Sequence, residues 1–493
     1  MKKVSSNVSA IQNQIHEESN GLDESKIPLK RNLGLTTGIL LVAGIIIGSG
    51  VFKKIAPMSA GLMDKNYILL AWLLAGIITL FGAFTISGLA TLTDESGGIY
   101  EYLRLAFGNF FSFLFGWGSL LIMGSGGIAA IAFIFSESVN YLIPLPNLFT
   151  SWQHISIGHF VFPFASAGIK LVAVLSIILL TWLNILGAKK GGNLNNVLTA
   201  AKIIGIVLLI VIGLSFTHSA LPVENIIKQP HSNTNIFSAI IAAMLSAFWA
   251  YDGWYCVGFI SGEIKKPKKN IPISIIAGVG ISIILYLLLN DAFMHVLPLS
   301  TLANIGEDNI AALEVARVIS GNAGVIAIAL LIVVSTFGAL NAVIITYPRM
   351  YYRMAQEKFF PKSFSFVHPR FRTPYVGLIY SMIWSCILVI SGTFDMLTDM
   401  IIFTEFFFFA LLGIALIKMK RNGKITARLI LYPLSPVVLI LFSVALVINT
   451  FMVEPVQSVV GVLFVLSGVP VYFYYKKRKK IIEPEESKEM DLA

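Results

Sequence analysis

LTTGILLVAGIIIGSGVFKK, residues 35–54, is an apolar run interrupted at its middle by Gly44, Gly48, Ser49 and Gly50. Glycine weakens a helix by about 1 kcal/mol relative to alanine, so this cluster predicts a helix that breaks. Taken alone, Gly48-Ser49-Gly50 reads equally well as close helix packing, because small residues are common where membrane helices meet. A second stretch shifts the balance. MLSAFWAYDGWYCVGFISGE, residues 244–263, is also apolar and carries Asp252 and Gly253 at its middle. A charged residue at mid-membrane depth costs about 2.5–3.5 kcal/mol on insertion scales. A broken helix at that depth is tolerated only where its freed backbone is buried or lines a cavity.

Composition supports the membrane setting. Of 493 residues, 56% are hydrophobic and 13% charged, against about 25% charged in ordinary globular domains. Disorder needs the opposite balance. A span takes about 20 apolar residues, so the chain holds enough for roughly a dozen. Long apolar runs predict spans near 33–58, 67–93, 109–142, 169–188, 194–217, 236–264, 271–298, 322–356, 374–392, 396–418, 428–450 and 456–475. Residues 1–32 lack an apolar core and predict a cytoplasmic tail rather than a signal peptide; residues 476–493 predict a second cytoplasmic tail. With both tails inside, the inner segments hold 29 of the 36 Lys and Arg, as the positive-inside rule requires. The net charge of +10 is then topological and gives no sign of a nucleic-acid partner. Cys256 and Cys386 lie in apolar segments, so no disulfide framework is expected.

The breaks fall in spans one and six of a chain whose first ten spans divide into five plus five, residues 33–217 and 236–418, with two extra helices over 428–475. Paired interrupted spans at matching places point to a secondary transporter built from inverted repeats. Freed amides at a half-helix N-terminus attract a carboxylate, and freed carbonyls attract an ammonium. One unwound segment offers both, which suits a zwitterionic α-amino acid.

At these residues the chain resembles the amino acid–polyamine–organocation superfamily, and more narrowly bacterial members of the L-type amino acid transporter family. The resemblance is carried by LKRNLGLTTGILLVAGIIIGSGVF (29–52), ESGGIYEYLRLAFG (95–108), FWAYDGWYCVGFISGEIKKPKKNIPISI (248–275) and STFGALNAVIITYPRMYYRMAQEKFFPKSFSFVHPRFRTPYVGLI (335–379). It implies an all-α polytopic fold of twelve helices and a substrate site between helices 1, 3, 6, 8 and 10. The unwound stretches Ile46, Ile47, Gly48, Ser49, Gly50 and Trp249, Ala250, Asp252, Gly253 would hold the substrate. Ser49 and the Gly50 amide would take the carboxylate, and carbonyls of Ile46, Trp249 and Asp252 the ammonium. Trp249 falls where the family places an aromatic that closes over substrate; the alternative is an ordinary packing aromatic. Phe is usual there in L-type members, whereas related arginine/agmatine antiporters carry Trp. Asn341 matches the family motif and would touch substrate or helix 1. The implied activity is sodium-independent exchange of neutral L-amino acids, with antiport of cationic amino acids or amines, or proton symport, as alternatives. Animal L-type light chains use a loop cysteine to bind a heavy chain. Residues 143–168 contain none, so no disulfide-linked partner is expected, and the protein is read as a bacterial inner-membrane monomer or homodimer.

The remaining intramembrane charges have two readings each. Lys202 either snorkels to the interface or, as the resemblance favours, braces the unwound first helix and takes part in coupling. Glu405 either carries a proton or shapes substrate choice, or packs as a protonated, hydrogen-bonded acid. Lys53 and Lys54 read as a solvated helix end or as a basic pair that draws anionic substrates into an outer vestibule, Glu137 and Asp291 as solvated helix ends, and Glu263 as an interfacial contact or a gate paired with nearby lysines. The seven histidines show no metal spacing, and no nucleophile–base–acid set or phosphate loop is present. No metal, cofactor or catalytic residue is therefore expected, which leaves an intramembrane enzyme or channel a remote reading.

Overall fold

The computed structural model describes residues 31–153, 155, 163–217, 236–306, 309–392, 394–453 and 455–490. The tail expected over 1–32 falls almost wholly outside the described residues, as do Lys228, His154 and His159.

The first span consists of α1 (Leu35–Ile46), α2 (Gly50–Lys53) and α3 (Ile55–Leu62). It is followed by α4 (Lys65–Leu89) and a short α5 (Ile99–Phe107). Asp64 starts α4 by capping it, its carboxylate accepting from the amides of Asn66 at 2.8 Å and Tyr67 at 3.0 Å. The third span joins α6 (Asn109–Gly118) to α7 (Gly124–Leu142) through a π-helical turn, Ser119–Met123. Then come α8 (Ala167–Ile185), α9 (Ala188–Leu214) and the sixth span, α10 (Ile236–Tyr251) with a 3-10 segment over Cys256–Glu263. The second half continues with α11 (Pro267–Val296), α12 (Leu299–Ala303), α13 (Ala311–Gln356), α14 (Tyr375–Ser391) and α15 (Phe394–Arg421). It ends in α16 (Leu434–Val453), α17 (Pro455–Leu466) and α18 (Gly468–Met490).

Among the described residues there is no β-strand, only an isolated bridge between Leu33 and Ile264. Eleven segments are long and apolar enough to cross a membrane, and α14, at 17 residues, is the short twelfth. The chain is thus an all-α polytopic membrane protein. Ala311–Gln356 is two helices that meet at a kink, where Ser320 and Gly321 leave helical geometry just before the span expected over 322–356. The last helix runs past the end expected near 475 to Met490, with Pro484 within it.

The two interrupted spans lie at the centre. α11 packs against α1 and α4, α13 against α7 and α9, and α15 against α16. Outward-facing side chains such as Leu175, Trp182, Ile204, Leu208 and Leu441 remain exposed, which suits a lipid surface rather than water.

Candidate functional site

The first break begins where Ile47 leaves helical geometry at ψ 73°, and the Gly48 amide closes a tight turn on the Ile46 carbonyl at 2.7 Å. The second break lies between Tyr251 and Cys256 and turns through Gly253 at φ +85°, a left-handed conformation that other residues adopt at a cost. The two breaks interlock. A Cβ on Gly50 would lie 2.5 Å from the Ala250 Cα, and one on Gly253 would lie 2.1 Å from Ile45 Cγ2.

Two buried side chains hold the freed carbonyls. Lys202, fully buried, donates through Nζ to Gly44 O at 2.7 Å, Ile47 O at 2.8 Å and Ser335 O at 3.0 Å. Those three bonds use all three hydrogens of the ammonium. The snorkelling reading of Lys202 is therefore corrected, because the break itself supplies the oxygens that water would have given. Ser335 Oγ donates to Ile47 O as well, at 3.1 Å. The second clamp, Tyr286 on α11, was not anticipated. Its hydroxyl lies 2.6 Å from Ile46 O and 2.9 Å from Ala250 O, joining the two breaks. A lone tyrosine in the run ISIILYLLLN was the available signal.

A cavity opens against the breaks, with Ile46, Gly48, Ser49, Gly50, Trp249, Asp252 and Gly253 on its lining. Met123, from the π-helical turn, and Tyr347 complete the wall. Trp249 is almost buried, sits edge-on to Phe394 at 5.8 Å, and its indole N–H has no hydrogen-bond partner among the described residues. Three expected contributors point elsewhere. The Ile47 carbonyl is held by Lys202. The Ala250 carbonyl is held by Tyr286. Asn341 lies off the cavity, its Oδ1 accepting from Asn184 Nδ2 at 2.8 Å. The Ile46 carbonyl accepts from the Gly48 amide and shares the single Tyr286 hydroxyl hydrogen with the Ala250 carbonyl.

Glu405 lies beside this cavity rather than on it. It is buried, and one carboxylate oxygen accepts from the Tyr255 hydroxyl, which is itself 3.1 Å from the Tyr347 hydroxyl.

Ion pairs flank the breaks on both sides. At the outer end, Lys53 Nζ meets Glu137 at 3.0 Å with both side chains largely buried. The Lys53 and Lys54 ammoniums also lie 4.8 and 5.0 Å from the Phe394 ring centre. The solvated reading of Lys53, Lys54 and Glu137 is thus corrected: an aromatic ring and a carboxylate replace water around these charges. Asp291, by contrast, is partly exposed and pairs with Lys65 at 2.6 Å. At the inner end Glu263 pairs with the buried Arg349 at 2.7 Å, not with the lysines that follow it in sequence. Arg353 reaches Glu101, Glu95 and Glu357, and burial pushes the neighbouring Tyr100 phenol above its usual range. Among the described residues no group of three or more His, Cys, Asp or Glu is placed to hold a metal.

A cavity lined by two broken helices is the arrangement expected for an amino-acid site. Residues 33–474 match the amino acid permease family. The chain is similar to the serine/threonine exchanger SteT of Bacillus subtilis, 32% identical over 470 residues, covering 94% of this chain and all of that one. It is 30% identical to the mouse b(0,+)-type amino acid transporter 1, covering 91% of this chain and 89% of the relative. The human large neutral amino acids transporter small subunit 2 is 25% identical, over 92% of this chain and 82% of the relative. The chain belongs to the amino acid permease family and is an integral membrane transporter of amino acids.

Proposed function

We propose that this permease is a sodium-independent exchanger of neutral L-amino acids that works by alternating access. The observation that carries the reading is Lys202. Its ammonium occupies the carbonyls of the broken first helix, so a positive charge is supplied by the chain and none is required from solution. Ser49 and the Gly50 amide receive the substrate carboxylate, carbonyls of Trp249 and Asp252 receive the ammonium, and Trp249 closes over the bound molecule. Helices 1 and 6 rock with their neighbours about this midplane site.

The 29 basic residues on the inner segments support two cytoplasmic termini, in the plasma membrane of a bacterium. Residues 143–168 contain no cysteine, and the two cysteines present lie in helical segments, Cys256 buried and Cys386 partly so. Both facts favour a monomer or homodimer without a disulfide-linked partner. Nothing in the site supports enzyme chemistry.

Purified protein in vesicles tests the reading. Uptake of a labelled neutral amino acid is expected only into vesicles loaded with amino acid, and unchanged when choline replaces sodium. Uptake into empty vesicles driven by a pH gradient would replace exchange with proton symport. A second reading, acceptance of cationic amino acids or amines, is favoured by the Asp252 carboxyl on the cavity lining. Competition by lysine or agmatine measures it.

A further inference from the structure

Asp252 lines two cavities. Besides the one at the breaks, it borders a second, narrower space walled by Glu405, Thr79 on α4, Trp254, Phe248 and aromatic residues of α15. Two carboxyl groups therefore share one largely apolar compartment. Glu405 is 1% exposed; one of its oxygens accepts from Tyr255, and its carboxyl is also hydrogen-bonded to that of Asp252, a contact that two carboxyl groups make only by sharing a proton. The other titratable side chains near the pair are Tyr255, Cys256 and Tyr347, none of which carries positive charge. No lysine, arginine or histidine is among the described residues lining either cavity.

Two carboxylates facing one water-poor space repel strongly, and each is costly to bury without a positive partner. The protein supplies no such partner, so it must come from solution as a proton or a cation. Asp252 sits on the boundary between the two cavities. The side chain of an amino acid held at the breaks would meet the pair through Asp252. A neutral side chain brings no charge. An ammonium or guanidinium brings one.

We infer that Asp252 and Glu405 form one cation subsite, which holds a proton while the substrate is neutral and releases it when a cationic amino acid binds. The inference rests on the exchange reading above and extends it to the charge carried per cycle. The proton leaves to the water on the side to which the site is open. A cationic amino acid entering in exchange for a neutral one then sends one proton the opposite way. The charge inside the closed protein is the same with either substrate, so this heteroexchange moves no net charge.

The test uses the purified full chain in detergent at low buffer strength, with a pH-indicating dye and with lysine and serine as probes. Lysine binding is expected to release about one proton per molecule bound, and serine binding none. Lysine affinity should rise by up to about tenfold per pH unit over the range where the pair is protonated, while serine affinity stays flat. Glu405→Gln should abolish lysine-dependent proton release, with circular dichroism and elution profile reporting its fold. Lysine binding without proton release in the wild-type protein overturns the proposal whatever the variant does. So does serine binding without lysine binding, or proton release that survives in a folded Glu405→Gln. Serine/serine exchange in loaded vesicles is measured separately. Its presence preserves the exchange reading when the proton result is negative, and its absence removes both.

Discussion

At the scale of single residues, the site depends on where a side chain is forbidden. Gly48 and Gly50 stand two positions apart, yet a Cβ on Gly48 meets nothing closer than 3.4 Å, whereas one on Gly50 strikes the Ala250 backbone. Gly50→Ala and Gly253→Ala should therefore abolish uptake and lower expression, while Gly48→Ala retains measurable uptake. Radiolabel uptake normalised to membrane-inserted protein distinguishes these outcomes. Lys202 is the complementary case, a residue whose removal strands oxygens. Its loss uncovers carbonyls of Gly44, Ile47 and Ser335, and a buried polar group left unpaired costs about 1–3 kcal/mol. Lys202→Ala is expected to insert normally but to lose more than about tenfold of its uptake. Unchanged uptake would remove Lys202 from the working site.

At the scale of helices, the two ends of the pathway are tied by pairs that join distant segments. Lys53 and Glu137 are 84 residues apart, and Arg349 and Glu263 are 86 apart. Breaking a buried pair by removing one partner costs about 3–5 kcal/mol, because the remaining charge is left uncompensated. Glu137→Gln and Lys53→Met should each destabilise the protein, and the double variant should lose less than the sum of the two single losses. A coupling of about 0.5–3 kcal/mol in a thermal double-mutant cycle is expected, and additive effects would mean the pair contributes nothing. Here the limits of reading sequence are visible. Gly48, Ser49, Gly50, Asp252 and Gly253 announced the breaks because a helix responds to its own residues. The partners of Lys53 and Glu263 were not legible, since each lies on another helix whose rotation a linear pattern does not fix, and the contact of Lys202 with the first helix was reached through the resemblance alone. The same reason hid Tyr286, and put Asn341 against Asn184 rather than at the cavity. The π-helical turn at Ser119–Met123 also escaped, as its run SLLIM contains no helix breaker.

At the scale of the whole molecule, the pairs at the outer and inner ends lie on opposite sides of the cavity, and Trp249 and Phe394 connect the cavity to the outer pair. Cys256, buried and on the cavity lining, reports when that arrangement opens. In a Cys386→Ser background, a small thiol reagent should label Cys256 slowly, and saturating substrate should slow it further. Labelling at the rate of an exposed thiol would mean that the closed arrangement is rarely occupied. The fold class was legible from composition and basic-residue placement alone, because bilayer thickness imposes both. The closure was not, because it belongs to a state rather than to the chain.

Lys202 has one more consequence under the exchange reading. A cation that is part of the polypeptide never dissociates, so it carries no osmotic gradient and performs no uphill work. For two neutral amino acids, the ratio of inside to outside concentration of one then cannot exceed that of the other. A cell using this protein would redistribute the amino-acid pool it already holds, and would need a second, energised carrier to enlarge it.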